Sequence, residues 1–387
     1  MVRNKKTIRY MAESVVAAAQ FAAPFGEWFD ENRGVHLGES RFGGGFRFDI
    51  DLLMAERVVA SPNILIFGSL GQGKSHLLGR LLFQDKNKSA LYFDPKGDAS
   101  KNLSKQGFNF FDRPINPLIP HQGTIAIKDS NFEIVDLACS YLLQRRLTEV
   151  EVAAIAECVE AMVFEANIDL LIENLEYLDD RRGPTKWRGY YQIGDLDPLI
   201  SVCKRLKKGR VMSSAPLTSD DAFEVIAGGG VVDLSYHLTS EHLPLRVALI
   251  LASLRSAKLA GVSDVRAVGI DELWTLLEDD NIASWIERYF KLARGAGISN
   301  FAATHSIDDL GRSSVGRGLL GAVEVFVTFR QSIEDAQQFV KALGLSTSMA
   351  DLIAELAVGS TLWLVKDRIS VIELEFTAGS SKSGAPT

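Results

Sequence analysis

Cysteine is scarce in this chain. Cys139, Cys158 and Cys203 are the only three in 387 residues. An odd, widely spaced set without a C-x-x-C pair excludes a disulfide framework and a cysteine zinc site. It fits buried free thiols in a reducing compartment. Positive charge is not in excess either: 42 Lys and Arg face 49 Asp and Glu, a formal net charge of −7 with a pI near 5.5. That excludes a protein that coats nucleic acid with its whole surface, and leaves a local basic channel open. Long apolar runs are absent, since no segment reaches the roughly 18 uncharged apolar residues of a spanning helix. The N-terminus sets Arg3, Lys5 and Lys6 before an apolar stretch from Val15 to Phe25. Glu13 and Gln20 interrupt it, and phenylalanines stand where a signal peptide has small residues. It reads as an amphipathic helix packed on its own domain, or as a contact for a membrane surface or partner.

What is present is an ordinary globular interior: 47% apolar residues and 24% charged. The length suits an enlarged domain or a core with an insertion. Asn63-Ile64-Leu65-Ile66-Phe67 is a buried-strand pattern, and Leu77, Leu78, Leu81 and Leu82 follow at helical spacing. Ala90-Leu91-Tyr92-Phe93 is a second strand, closed by the turn Asp94-Pro95-Lys96-Gly97. Strand, helix, strand in this order predicts a parallel α/β unit. From Phe132 to Leu178 the period becomes helical, with Thr148 and Glu151 spaced as a capping box. Residues 181–191 are polar, with glycine and proline, and read as a loop. After Gly228-Gly229-Gly230, strands are expected at Val231–Leu234, Val265–Ile270, Phe301–Thr304 and Val323–Val327. A hairpin is expected around Lys366-Asp367-Arg368. The expected division is a helical N-terminal segment at 1–37, a core at 38–104, a mainly helical insertion at 105–228, the rest of the core at 229–376 and a disordered tail of Gly, Ser, Ala and Pro at 377–387.

The strongest chemical signal is Gly68-Ser69-Leu70-Gly71-Gln72-Gly73-Lys74-Ser75, followed by His76. It matches G-x-x-x-x-G-K-[ST] between a strand and a helix. Glycines let consecutive N–H groups curl around phosphates, and the helix that follows turns its positive end to the anion. Lys74 is assigned to the β- and γ-phosphates and Ser75 to Mg²⁺. The expected ligands are therefore ATP and Mg²⁺, bound along Gly68 to His76. Ala267-Val268-Gly269-Ile270-Asp271-Glu272 delivers two carboxylates at a strand's C-terminal end, where open α/β sheets bind ligands. Asp271 is expected in the Mg²⁺ shell and Glu272 as the general base. Thr304 or His305, at the end of the next strand, is a candidate γ-phosphate sensor; His305 also reads as an ordinary loop histidine. Asp94-Pro95-Lys96-Gly97-Asp98 is either a further ligand-edge site or a plain turn. Arg294, Arg312, Arg317 and Arg330 are candidates for an arginine completing a neighbour's site, or are surface arginines. Arg181, Arg182, Lys186, Trp187, Arg188, Tyr190 and Tyr191, and separately Lys204, Arg205, Lys207, Lys208 and Arg210, form basic patches. These read as nucleic-acid contacts or as solvated faces. No N-K-x-D points to guanine, and nothing marks a kinase acceptor site.

The order P-loop, Asp94-Pro95-Lys96-Gly97, helical insertion, Val232-Asp233-Leu234-Ser235, Asp271-Glu272, then Arg294-Gly295-Ala296-Gly297-Ile298 before Ala302-Ala303-Thr304, resembles the HerA–FtsK superfamily. Ile115-Asn116-Pro117-Leu118 and Gly359-Ser360-Thr361-Leu362-Trp363-Leu364 resemble the ATPases of type IV secretion and conjugation, of TraC and TraG kind. The resemblance covers Gly38 to Phe376. It implies a RecA-like core with a mainly parallel sheet, a helical subdomain, and a homohexameric ring with ATP sites between subunits. It also implies work at a membrane-associated secretion complex from the cytoplasmic side; the sequence shows no transmembrane anchor of the coupling-protein kind, which tilts the expectation away from a membrane-embedded DNA pump. Many members carry glutamine where His305 stands. Fewer than seventy residues precede the P-loop, so a motor-only member or a fragment is expected. The alternatives are a HerA-like DNA translocase, with DNA as direct partner, and a nucleotide switch with little turnover.

Overall fold

The computed structural model describes residues 34–41, 44–84, 89–97, 110–111, 115–179, 194–214, 221–237, 240–311 and 314–375. Its strands are β1 (Val35–Ser40), β2 (Gly45–Phe48), β3 (Asn63–Phe67), β4 (Ala90–Asp94), β5 (Phe110–Phe111), β6 (Gly230–Asp233), β7 (Ala267–Ile270), β8 (Ser299–Ala303), β9 (Val325–Thr328), β10 (Ser360–Val365) and β11 (Arg368–Leu374). The chain forms two compact units. The first contains Met1–Asn87, Gly269–Trp274 and Ser299–Thr387; the second contains Lys88–Val268 and Thr275–Ile298.

In the first unit the strand order is β2-β1-β11-β10-β9-β3-β8, followed by the end of β7. β3 lies between β8 and β9 and runs parallel to both, with Ile64 in register with Phe301 and Val325. Every residue of β3, β8 and β9 is buried. That two-sided burial explains why Asn63–Phe67 reads as a continuous apolar run instead of an alternation. The sheet is parallel around β3, as expected, and carries an antiparallel flank of β10, β11, β1 and β2. The hairpin expected near the end is β10–β11. Val365 pairs with Arg368 across the turn residues Lys366 and Asp367, and Lys366 takes the positive φ of 57° that a two-residue turn demands. The buried Arg80 ties the flank to the helix Lys74–Phe83. Its guanidinium donates to the carbonyl oxygens of His36, Leu37 and Glu375.

In the second unit β4 and β5 flank β6, all parallel. The rest is largely helical: Ile125–Leu143, Glu149–Glu160, Ile168–Asp179, Asp197–Lys208, Asp221–Gly228, Leu243–Leu259 and Asp280–Leu292. The Thr148 capping box forms. The Thr148 hydroxyl accepts from Glu151 N, and Glu151 Oε2 accepts from Thr148 N at 2.8 Å. The three cysteines are buried free thiols in this unit, with Cys139 and Cys203 sulfurs 3.9 Å apart. Burial pushes the Cys158 thiol well up, which disfavours the reactive thiolate. No helix among the described residues is long and apolar enough to cross a membrane.

Candidate active site

The site is built in the first unit, at the C-terminal edge of its central strands. The glycine-rich loop leaves β3 and is fixed at its start by its neighbours. Gly68 N donates to His305 O at 3.1 Å, and Ser69 N to Arg330 O at 3.0 Å. Gly68 has φ 152°, and a Cβ there would come within 2.6 Å of Phe329 Cβ. Phe329, buried behind the loop, also lies 3.4 Å from where a Gly73 Cβ would stand. Gly73 is left-handed, φ 106°, and caps the helix Lys74–Phe83 without a side chain. The helix therefore begins at Lys74, Ser75 and His76 directly after the loop, and the positive end of a helix favours an anion. Leu70, at the loop tip, is 73% exposed. His76 is half-buried; burial lowers its pKa, and the Arg80 charge adds to that.

The carboxylates arrive at the end of β7. Asp271 and Glu272 are both buried. Ser75 Oγ donates to Asp271 Oδ2 at 2.5 Å, although the two residues are far apart in the chain. A serine hydroxyl beside a carboxylate is a hard-oxygen donor pair at the start of the phosphate loop, and it suits Mg²⁺. Glu272 has φ 54°, the left-handed region that a residue with a long side chain seldom adopts. This bend turns the chain at once into the short helical turn Leu273–Leu276.

His305 joins the two halves of the site. Lys74 Nζ donates to Gly68 O at 2.6 Å and Ser69 O at 3.1 Å, and lies 3.2 Å from His305 Nδ1. An ammonium only donates, so Nδ1 is the acceptor and the ring proton sits on Nε2. His305 Nε2 is 3.0 Å from Glu272 Oε2. The same oxygen accepts from Trp274 Nε1 at 2.6 Å. Of the two sensor candidates, Thr304 points elsewhere: it is fully buried and donates to Asp309 Oδ2 at 2.9 Å. Asp309 also accepts from the N–H groups of His305 and Ser306, fixing the loop that presents the imidazole.

The structure thus brings together Gly68 to His76, Asp271, Glu272 and His305. Trp274, Phe329 and Asp309 were missed, because no motif flags an indole two residues after a strand or a ring behind a loop. Arg330 stands beside the loop through its backbone, with an exposed side chain; Arg317 is exposed, and Arg294 is an exposed residue of the second unit. Arg312, Asp98 and the patch at 181–191 lie outside the described residues. In the second unit, Asp94 ends β4 and its Oδ1 accepts from Gly97 N at 3.0 Å, a closed turn. Lys204 and Lys207 of the second patch pair with Glu176 and Asp169.

Comparison with solved structures bears on the fold. VirB4 of Thermoanaerobacter pseudethanolicus superposes with a TM-score of 0.68 at 17% identity, covering 90% of this chain and 98% of that one. The plasmid coupling protein TrwB, in complex with ADP and Mg²⁺, superposes at 0.55 with 14% identity, covering 92% of each chain. The chain shares the fold of these two proteins, VirB4 and TrwB. A curated relative, the DNA import protein CedB of Sulfolobus acidocaldarius, is 27% identical over 269 residues, 66% of this chain. The chain spans 42% of that relative's length. No protein-family model matches the chain.

Proposed function

We propose that this chain is an ATP-hydrolysing motor of the type IV secretion and conjugation kind, working as a homohexamer with ATP sites between subunits. The loop from Gly68 to His76 cradles the phosphates through backbone N–H groups and the start of its helix. Lys74 binds the β- and γ-phosphates. Ser75 and Asp271 hold Mg²⁺, which when bound neutralises charge on the transferred phosphoryl group. Glu272 takes the proton of the attacking water as general base. His305, reaching both Lys74 and Glu272, reports the presence of the γ-phosphate. The observation that carries this reading is the pair of contacts at one strand edge, Ser75 to Asp271 and Lys74 through His305 to Glu272.

The work is proposed to be done on the cytoplasmic face of a membrane-associated complex, the chain being peripheral to it. A second reading, favoured by the DNA import relative, is a translocase acting directly on DNA. One experiment separates them: steady-state ATP hydrolysis by the chain and by Lys74→Ala, without DNA, with single-stranded DNA and with duplex. Loss of activity in the variant by about a hundredfold or more is expected from removing a charge-stabilising group. Stimulation by DNA selects the translocase; indifference to DNA selects a motor that answers to a protein partner. Tight nucleotide binding with no turnover in any condition would leave a nucleotide switch and overturn the motor reading.

A further inference from the structure

We propose that Trp274 and His305 hold the Glu272 carboxylate in a restrained position, and that Lys74 keeps this latch closed until a nucleoside triphosphate draws it away. The inference rests on the reading of the loop as a triphosphate site and adds a regulatory residue, Trp274, to it.

Glu272 Oε2 accepts from the indole Nε1 at 2.6 Å, and the imidazole Nε2 lies 3.0 Å from the same oxygen. Both contacts restrain the carboxylate where it stands. They also fix the side chain against the residue that follows it, since Trp274 stands two positions on, in the turn Leu273–Leu276. The backbone of Glu272 is itself in the left-handed region, at φ 54°. Such a conformation persists where surrounding contacts hold it. On the other side, the imidazole is oriented by Lys74, whose ammonium lies 3.2 Å from Nδ1 and also donates to two carbonyls of its own loop. The two ring nitrogens have distinct duties: Nδ1 accepts from the lysine, so the ring proton sits on Nε2, beside the glutamate. A lysine cannot keep all three of these acceptors and also serve a β- and γ-phosphate, because its three N–H bonds are already aimed. When the phosphates take Lys74, His305 loses the group that fixes its orientation, and one of the two restraints on Glu272 loosens. The indole remains as the second. Trp274 is a positioning residue, half-buried and beyond reach of any motif, that sets how readily the general base is freed.

The test uses the full chain and the Trp274→Phe variant. Phenylalanine keeps the aromatic body and removes the N–H; equal thermal midpoints of the two proteins establish that it folds. Binding of a fluorescent ATP analogue is measured first, with Lys74→Ala as reference. Absent binding by the wild type sinks the triphosphate-site reading itself, independently of the latch. With binding present, tryptophan emission is followed while a non-hydrolysable triphosphate or a diphosphate is added. The expected result is an emission change with the triphosphate, much smaller with the diphosphate, and lost in Trp274→Phe although the variant binds nucleotide within twofold of wild type. Basal kcat of the variant should rise several-fold with KM unchanged. An emission change that survives in Trp274→Phe overturns the proposal, because it then arises elsewhere. So does a kcat that stays the same or falls, since an indole that aims Glu272 productively would lower turnover on removal.

Discussion

At the scale of single residues, the phosphate loop shows how two glycines of one motif differ. Gly68 and Gly71 both have positive φ, 152° and 75°. A Cβ on Gly71 meets nothing within 4 Å, whereas one on Gly68 would stand 2.6 Å from Phe329 Cβ. Phe329 is fully buried and has no room to retreat. Gly71→Ala is therefore expected to carry only backbone strain, about 1–2 kcal/mol. Gly68→Ala adds overpacking on top of strain, which brings a further cost of about 1–3 kcal/mol and pushes the loop off its wall. Urea unfolding of both variants checks the order, and nucleotide titration checks that Gly68→Ala also weakens binding. Equal destabilisation of the two would remove Phe329 from the argument. Glu272 poses the same question with a charged side chain, since its left-handed backbone is held at the bend where the carboxylate proposed as general base emerges.

At the scale of elements, local chemistry was readable and long-range pairing was not. Thr148-x-x-Glu151 announces a helix start from four consecutive residues, and the helix Glu149–Glu160 begins there. The same glutamate has a further partner no local pattern shows: Arg145 donates two N–H groups to it, both at 2.8 Å. Hydrogen bonds from Arg145, then from Thr148, hold the Glu151 carboxyl below the ordinary glutamate value of 4.5. A depressed folded pKa contributes stability that is present above 4.5 and is lost as pH falls through the folded value. The difference in unfolding free energy between wild type and Glu151→Gln should thus shrink as pH is lowered below 4.5; a difference that stays constant across that range would exclude the ionised pair as its source. Thr148→Ala should cost about 1 kcal/mol through the lost cap. By contrast, β1 and β2 left no trace in the sequence reading. β1 is short and contains Gly38, and its partner β11 lies at the other end of the chain, with Gly38 in register with Leu374. Nothing within a window of ten residues records that pairing. β3 and the β10–β11 hairpin were legible because burial on both faces, or a two-residue turn, writes itself into adjacent positions.

At the scale of the whole molecule, the site's residue types were legible and their connections were not. The glycine-lysine-serine loop and the aspartate-glutamate pair are motifs because each needs neighbours in sequence. The bonds that join them, Ser75 to Asp271 and Lys74 through His305 to Glu272, exist only because β3, β7 and β8 end at one edge. The choice of His305 over Thr304 also required the fold, since Thr304 is spent on Asp309. This convergence has a thermodynamic consequence. Strands from opposite parts of the chain contribute to one site, so a ligand there binds only the folded form. Binding of that kind stabilises by RT ln(1 + [L]/Kd), about 2.7 kcal/mol at a hundred times Kd, which raises Tm by a few degrees for a chain of this size. ATP with Mg²⁺ should therefore shift the unfolding midpoint of wild type upward with the logarithm of concentration. Lys74→Ala should show no shift over the same range. Asp271→Ala should respond to ATP without Mg²⁺ as wild type does, yet gain less when Mg²⁺ is added, because it loses one of the two oxygen groups assigned to the ion. Scanning calorimetry of the three proteins, with and without Mg²⁺, reads all of this without any turnover. An equal Mg²⁺-dependent gain in wild type and Asp271→Ala would take Asp271 out of the metal site.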